Sequence, residues 1–102
     1  MSEIYKALAD PTRRRILELL RDGELSAGEL AAHVRVSKPT LSGHLSVLKA
    51  AGLIDVTRQA TSLIYRLNTS VLEDALFALM SAFKVGPVPA RSRGRPPAGK
   101  RP

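Results

Sequence analysis

The stretch SKPTLSGHLSVLK, residues 37–49, combines two chemistries on one segment. Leu41, Leu45 and Leu48 recur at the spacing of a single buried helical face. At about 100° per residue, the opposite side carries Pro39, Thr40, Gly43, Ser46 and Val47, with Lys38 and Ser42 on the flanks of the N-terminal half. A helix that only had to be soluble would favour Glu, Lys, Gln and Ala, which cost a helix least. This outer face instead is small, hydroxyl-rich and free of acid. Serine, threonine and lysine can donate to phosphate oxygens and base edges, and small residues let a helix sink into a major groove about 12 Å wide. Carboxylates there would repel the phosphates. The chemistry on offer is contact with double-stranded DNA; its rival is an ordinary core helix that happens to carry hydroxyls.

Other chemistries find less support. The chain has no cysteine, so disulfides, thiolate metal sites and a cysteine nucleophile are excluded. His33 and His44 are its two histidines, and at their spacing they form neither a nucleophile–base pair nor a metal constellation, so an enzyme is not expected. His44 falls between the buried and exposed faces and reads as a structural hydrogen-bonding residue, with phosphate among its candidate partners. His33 reads as a surface residue at a helix end. Arg13, Arg14 and Arg15 form either a solvated face with internal salt links or a contact to the DNA backbone.

The elements that must hold this segment are punctuated clearly. Asp10 and Pro11 read as N-cap and first helical position, Ile16, Leu17, Leu19 and Leu20 as the apolar face that follows, and Gly23 as the stop. A short helix over residues 3–9 precedes it. Ser26 and Glu29 have capping-box spacing, with Leu25 and Leu30 as the hydrophobic staple, so a helix starts at Ala27. Val36 and Leu41 repeat the staple around Ser37, which leaves HVRV as a tight turn between two helices. After Gly52, LIDVTR and LIYRL read as two strands joined by QATS. Ser70 and Glu73 suggest another capping box, opening a helix with an apolar stripe of Leu72, Ala75, Leu76, Leu79, Met80 and Phe83.

The charge divides the chain. The net charge is +7: residues 1–84 hold eleven basic against nine acidic residues, and residues 85–102 hold five basic residues and no acid. That terminal segment also contains five prolines and three glycines, too little apolar surface to offset ordering entropy, and reads as a disordered basic tail. A basic balance of this kind favours an anionic partner. No apolar run reaches the roughly 18 residues of a membrane span, nor is there a signal-peptide stretch, so the expectation is a cytoplasmic protein, nucleoid-associated when bound, with no membrane insertion.

The order of four helices, hairpin and helix is that of a winged helix-turn-helix domain over residues 1–84, mainly α with a small β-hairpin. KALADPTRRRILELL, SKPTLSGHLSVLKAAGLI and YRLN together resemble the ArsR family of bacterial transcriptional repressors, and the recognition segment and LNT are similar to its Sdp-type autorepressor branch, which lacks sensing cysteines. The resemblance implies a homodimeric, sequence-specific repressor that reads an inverted repeat through helix 38–50, with a wing at 53–67. It also implies that Ser37, Lys38, Pro39, Thr40, Ser42, Gly43 and His44 lie at DNA-contacting positions. Gly43 departs from relatives, which often place Arg, Lys or His there; sequence preference is then weaker or carried by other contacts. At the wing, relatives commonly have a basic residue and a glycine at the tip, whereas this chain has Ala60. Arg58, Thr61, Ser62 and Arg66 are its candidate phosphate partners, Arg58 foremost, unless the hairpin merely covers the core.

Dimerisation is expected through Ile4, Tyr5 and Leu8 on the first helix and Leu72, Leu76, Leu79 and Phe83 on the last. Relatives that sense metal use a cysteine pair near Leu25, or His and acidic ligands on the final helix. This chain has ELSAGEL at the first position, and Glu73 and Asp74 without histidine at the second, so no metal and no cofactor are expected. An inducer, if one acts, is an unidentified protein or small molecule. A nonspecific architectural DNA binder aided by the tail is the alternative function, and a protein-binding adaptor a third. Within the tail, Arg93-Gly94-Arg95-Pro96 resembles the core of an AT-hook; the plainer reading is phosphate attraction by Arg91, Arg93, Arg95, Lys100 and Arg101.

Overall fold

A computed structural model describes residues 2–86. The elements run α1 (Ser2–Leu8), α2 (Pro11–Arg21), β1 (Leu25–Ser26), α3 (Ala27–Val34), α4 (Lys38–Ala50), β2 (Ile54–Gln59), β3 (Ser62–Leu67) and α5 (Thr69–Phe83). This is a winged helix-turn-helix. The described residues divide into two units, one ending at Leu72 and the other beginning at Glu73.

The local caps form as their residue types dictate. The Asp10 carboxylate accepts from the Thr12 and Arg13 amides at 2.7 and 3.1 Å, satisfying two of the free donors that open α2. At α3 the Glu29 amide donates to Ser26 Oγ at 3.1 Å and the Ser26 amide to Glu29 Oε1 at 2.8 Å, a complete capping box. The Thr40 amide donates to Ser37 Oγ at 3.3 Å at the start of α4.

In the first unit, Ile16, Leu17 and Leu20 of α2 meet Leu30 of α3, the Leu41, Leu45 and Leu48 row of α4, and Leu53, Ile54 and Tyr65 of the sheet in one buried cluster. The α4 leucines are thus the face that the sequence spacing assigns to the core. Val47, expected on the outer face, is half-buried and packs against that cluster.

Four local expectations are corrected. The turn before α4 is shorter than HVRV: His33 and Val34 complete α3, and Arg35 ends it in the left-handed region at φ 61° with its amide donating to the Ala31 carbonyl at 3.1 Å. The hairpin strands extend into QATS, pairing Gln59 with Ser62 and leaving Ala60 and Thr61 as the loop. The sheet has a third strand, β1, on the far side of β3, with Leu25 opposite Tyr65 and Ser26 opposite Ile64. Ser70 lies inside α5 instead of capping it; the helix begins at Thr69, and the Asn68 carbonyl accepts from the Leu72 amide at 3.3 Å. The expected disordered tail falls, beyond Gly86, outside the described residues.

Candidate nucleic-acid interface

Ser37, Lys38, Pro39, Thr40, Ser42 and Gly43 are all exposed along the N-terminal half of α4, while the leucine row on its other side is buried. Within this group Ser37 Oγ donates to Thr40 Oγ1 at 2.9 Å. A hydroxyl carries one proton, so Ser37 is committed, whereas the proton of Thr40 stays free to donate outward. Among the described residues no acidic side chain pairs with Lys38 or Arg58. Gly43 leaves a bare notch: a Cβ built there meets nothing within 4 Å.

The wing residues separate by strand parity, since alternate side chains face opposite sides of a sheet. Val56 opposite Tyr65 marks the core side, and Arg58 opposite Leu63 continues that face toward the tip. Leu63 and Tyr65 line a hollow of about 340 Å³ together with Ala27, Gly28 and Ala31 of α3 and Lys38, Leu41, Ser42 and Leu45 of α4. One face of the wing and the exposed half of α4 therefore border the same open space. Thr61 and Ser62 sit at the exposed tip.

Arg66 is on the other side. It lies opposite Asp55 at the hairpin base, and its guanidinium donates to Glu24 Oε2 and Thr57 Oγ1, each at 3.3 Å. The structure does not bring it together with Arg58 and α4.

Arg13 is half-buried while Arg14 and Arg15 are exposed, and the first two are engaged with the end of α1. Arg13 donates from Nε to the Ala7 carbonyl at 2.9 Å and from Nη2 to the Lys6 carbonyl at 3.0 Å, and Arg14 donates to the Leu8 carbonyl at 2.8 Å. These are carbonyls of the last turn of α1, where positive charge is favoured, and that of Lys6 also accepts from the Ala9 amide at 3.2 Å. Arg15 faces Glu18 at 3.5 Å, with both side chains more than half exposed, a pair worth little. His44 is half-buried, and its Nδ1 lies 3.2 Å from Arg13 Nη1.

Two carboxylates are electrostatically distinctive. Asp10 is held below its ordinary pKa, first by the amide bond from Arg13, which burial opposes, and then by the amide bond from Thr12 and the positive charge of Arg13. Glu29 is held down first by the Ser26 amide and then by the Ser26 hydroxyl. Both are capping groups, so the shifts belong to the scaffold.

The candidate dimer residues divide in the same way. Ile4, Leu8 and Leu72 are partly buried against the core cluster, which leaves Tyr5, 39% exposed, as the free apolar group of α1. On α5, Leu76 is 43% and Phe83 70% exposed, Leu79 is half-buried, and Phe77, which the sequence stripe omits, is 65% exposed. Glu73, Leu76, Phe77 and Met80 line one groove. Widening the stripe by one residue beyond Leu76 would have captured Phe77.

Among the described residues no helix is long and apolar enough to cross a membrane, and no three His, Asp or Glu side chains gather as for a metal ion.

The profile of the bacterial regulatory protein arsR family matches residues 10–56. The transcriptional repressor SdpR of Bacillus subtilis is 42% identical over 86 residues, covering 84% of this chain and 96% of that protein. Among solved structures, HlyU from Vibrio cholerae superposes with a TM-score of 0.67 at 31% identity, covering 81% of this chain and 90% of its own. The transcriptional repressor BigR from Xylella fastidiosa gives a TM-score of 0.65 at 32% identity, over 80% and 84% of the two chains.

Proposed function

Because this chain belongs to the arsR family of bacterial regulatory proteins and is a DNA-binding transcriptional regulator, not an enzyme, we propose that it is a homodimeric repressor reading an inverted repeat through α4. The observation that carries the reading is the exposed, acid-free set Ser37, Lys38, Pro39, Thr40, Ser42 and Gly43, with Lys38 unpaired among the described residues and a free Thr40 proton, on a helix whose other face is locked in the core. Lys38 and Thr40 approach base edges; Ser37, Ser42 and the α4 amino end approach the backbone. Arg58, Thr61 and Ser62 reach phosphates from the wing, and Arg66 stays with Glu24. A second copy covers Leu76, Phe77, Leu79 and Phe83 of α5; Tyr5 of α1 is a separate candidate for the dimer contact. The protein then acts in the cytoplasm, on the nucleoid. An inducer would be a small molecule or a protein.

The test is to select bound duplexes from a random pool and footprint the result. Two α4 helices in successive major grooves predict half-sites about 10 or 20 base pairs apart. Lys38→Ala and Thr40→Ala should each weaken the selected site by roughly 1 to 3 kcal/mol. Unchanged affinity and an unchanged selected sequence in both variants would remove α4 as the reader. The exposed notch at Gly43, where no side chain reaches out, favours a second reading as a nonspecific architectural binder. Unrelated duplex DNA competing equally at physiological salt would decide for it.

A further inference from the structure

We infer that Arg13 is a positioning residue for DNA reading, one guanidinium that clamps the end of α1 and holds the recognition helix α4 through His44. Its Nε and Nη2 are spent on the Ala7 and Lys6 carbonyls at 2.9 and 3.0 Å, which fixes the plane of the group. The remaining arm, Nη1, points at His44 Nδ1 at 3.2 Å. Arginine has only donors, so in this contact Nδ1 is the acceptor. His44 lies in the middle of α4, between the exposed Gly43 and the buried Leu45. A rigid planar fork with two arms anchored on one helix and the third on another sets their mutual placement more narrowly than apolar packing does. The Arg13 amide is itself held by Asp10, so the clasp is also tied to the start of α2.

This gives an internal role to two residues that the sequence offered as candidate DNA contacts, though its consequence for affinity rests on the proposed DNA reading.

The experiment measures binding of the full chain to its selected duplex by fluorescence anisotropy for wild type, Arg13→Ala, His44→Phe, the double variant and His44→Gln, which keeps an acceptor. Each of the first two single changes should weaken binding on the order of tenfold, with the double no weaker than the worse single. His44→Gln should recover most of what His44→Phe loses. Losses that multiply in the double variant, or a Gln variant as weak as Phe, would each overturn the clasp. If no duplex is selected at all, the functional reading fails. The same double-mutant cycle read by thermal unfolding then judges the clasp: coupled losses support it and additive losses refute it.

Discussion

Gly43 is the residue at which stability and recognition part company. It sits in a helix interior, where glycine costs about 1 kcal/mol relative to alanine, yet a Cβ there meets nothing. Gly43→Ala should therefore raise stability by about that amount in denaturant titration. If α4 needs the notch to approach the duplex closely, the same variant should bind DNA less well; equal or better binding would show that the notch is dispensable. Asp10 gives a prediction of a different kind. Its carboxyl is depressed below the ordinary value of 3.8, so its stabilising charge is fully present above that value and is lost as pH falls through the lower, folded-state value. Asp10→Asn keeps a cap but has no charge to lose. Melting curves between pH 2.5 and 6 should show wild type ahead near neutrality and the gap closing below about pH 4; a gap independent of pH would place the stabilisation elsewhere.

At the scale of elements, what was legible in the sequence was what is local. Asp10-Pro11, Ser26 with Glu29, and Ser37 each announce a helix start through bonds made within three residues, and all three form. The Ser70 and Glu73 pair shows the limit of such reasoning, because the same spacing also occurs by chance inside a helix that starts one residue earlier. Strand β1 is two residues long and exists only through its pairing with β3, some forty positions away, so no local signal could have found it. The outward turn of Arg66 follows from strand parity, but only once the register is known. Arg35 and Ala60 hold left-handed conformations at φ 61° and 55° without the glycine or asparagine that would have marked them. The wing loop makes this testable. A two-residue loop with positive φ at its first position alone follows the II′ pattern, where glycine is usual. Ala60→Gly should stabilise the protein by up to about 1 kcal/mol, measured as a rise in the urea midpoint; no rise would mean that the loop relaxes at no cost.

At the scale of the whole molecule the open question is assembly. Leu76, Phe77 and Phe83 stand in water on α5, and large exposed apolar groups gathered on one element mark an interaction surface. Phe77→Glu together with Leu76→Glu should convert a dimer to monomer in sedimentation at micromolar concentration, with far-ultraviolet circular dichroism retained; a wild type that is already monomeric would end the dimer proposal. One other feature reaches across the first unit. Ser26 is at once the cap of α3, bonded both ways with Glu29, and a rung of the sheet opposite Ile64. The strand it joins is the inner one, β3, which also carries the wing. A chain emerging in order from its N-terminus can close the cap early, but the other obligation of Ser26 must wait for residues made much later. The helix that precedes the reader and the hairpin that follows it consequently complete one cooperative foldon, and their slowly exchanging amides should become protected in a single step.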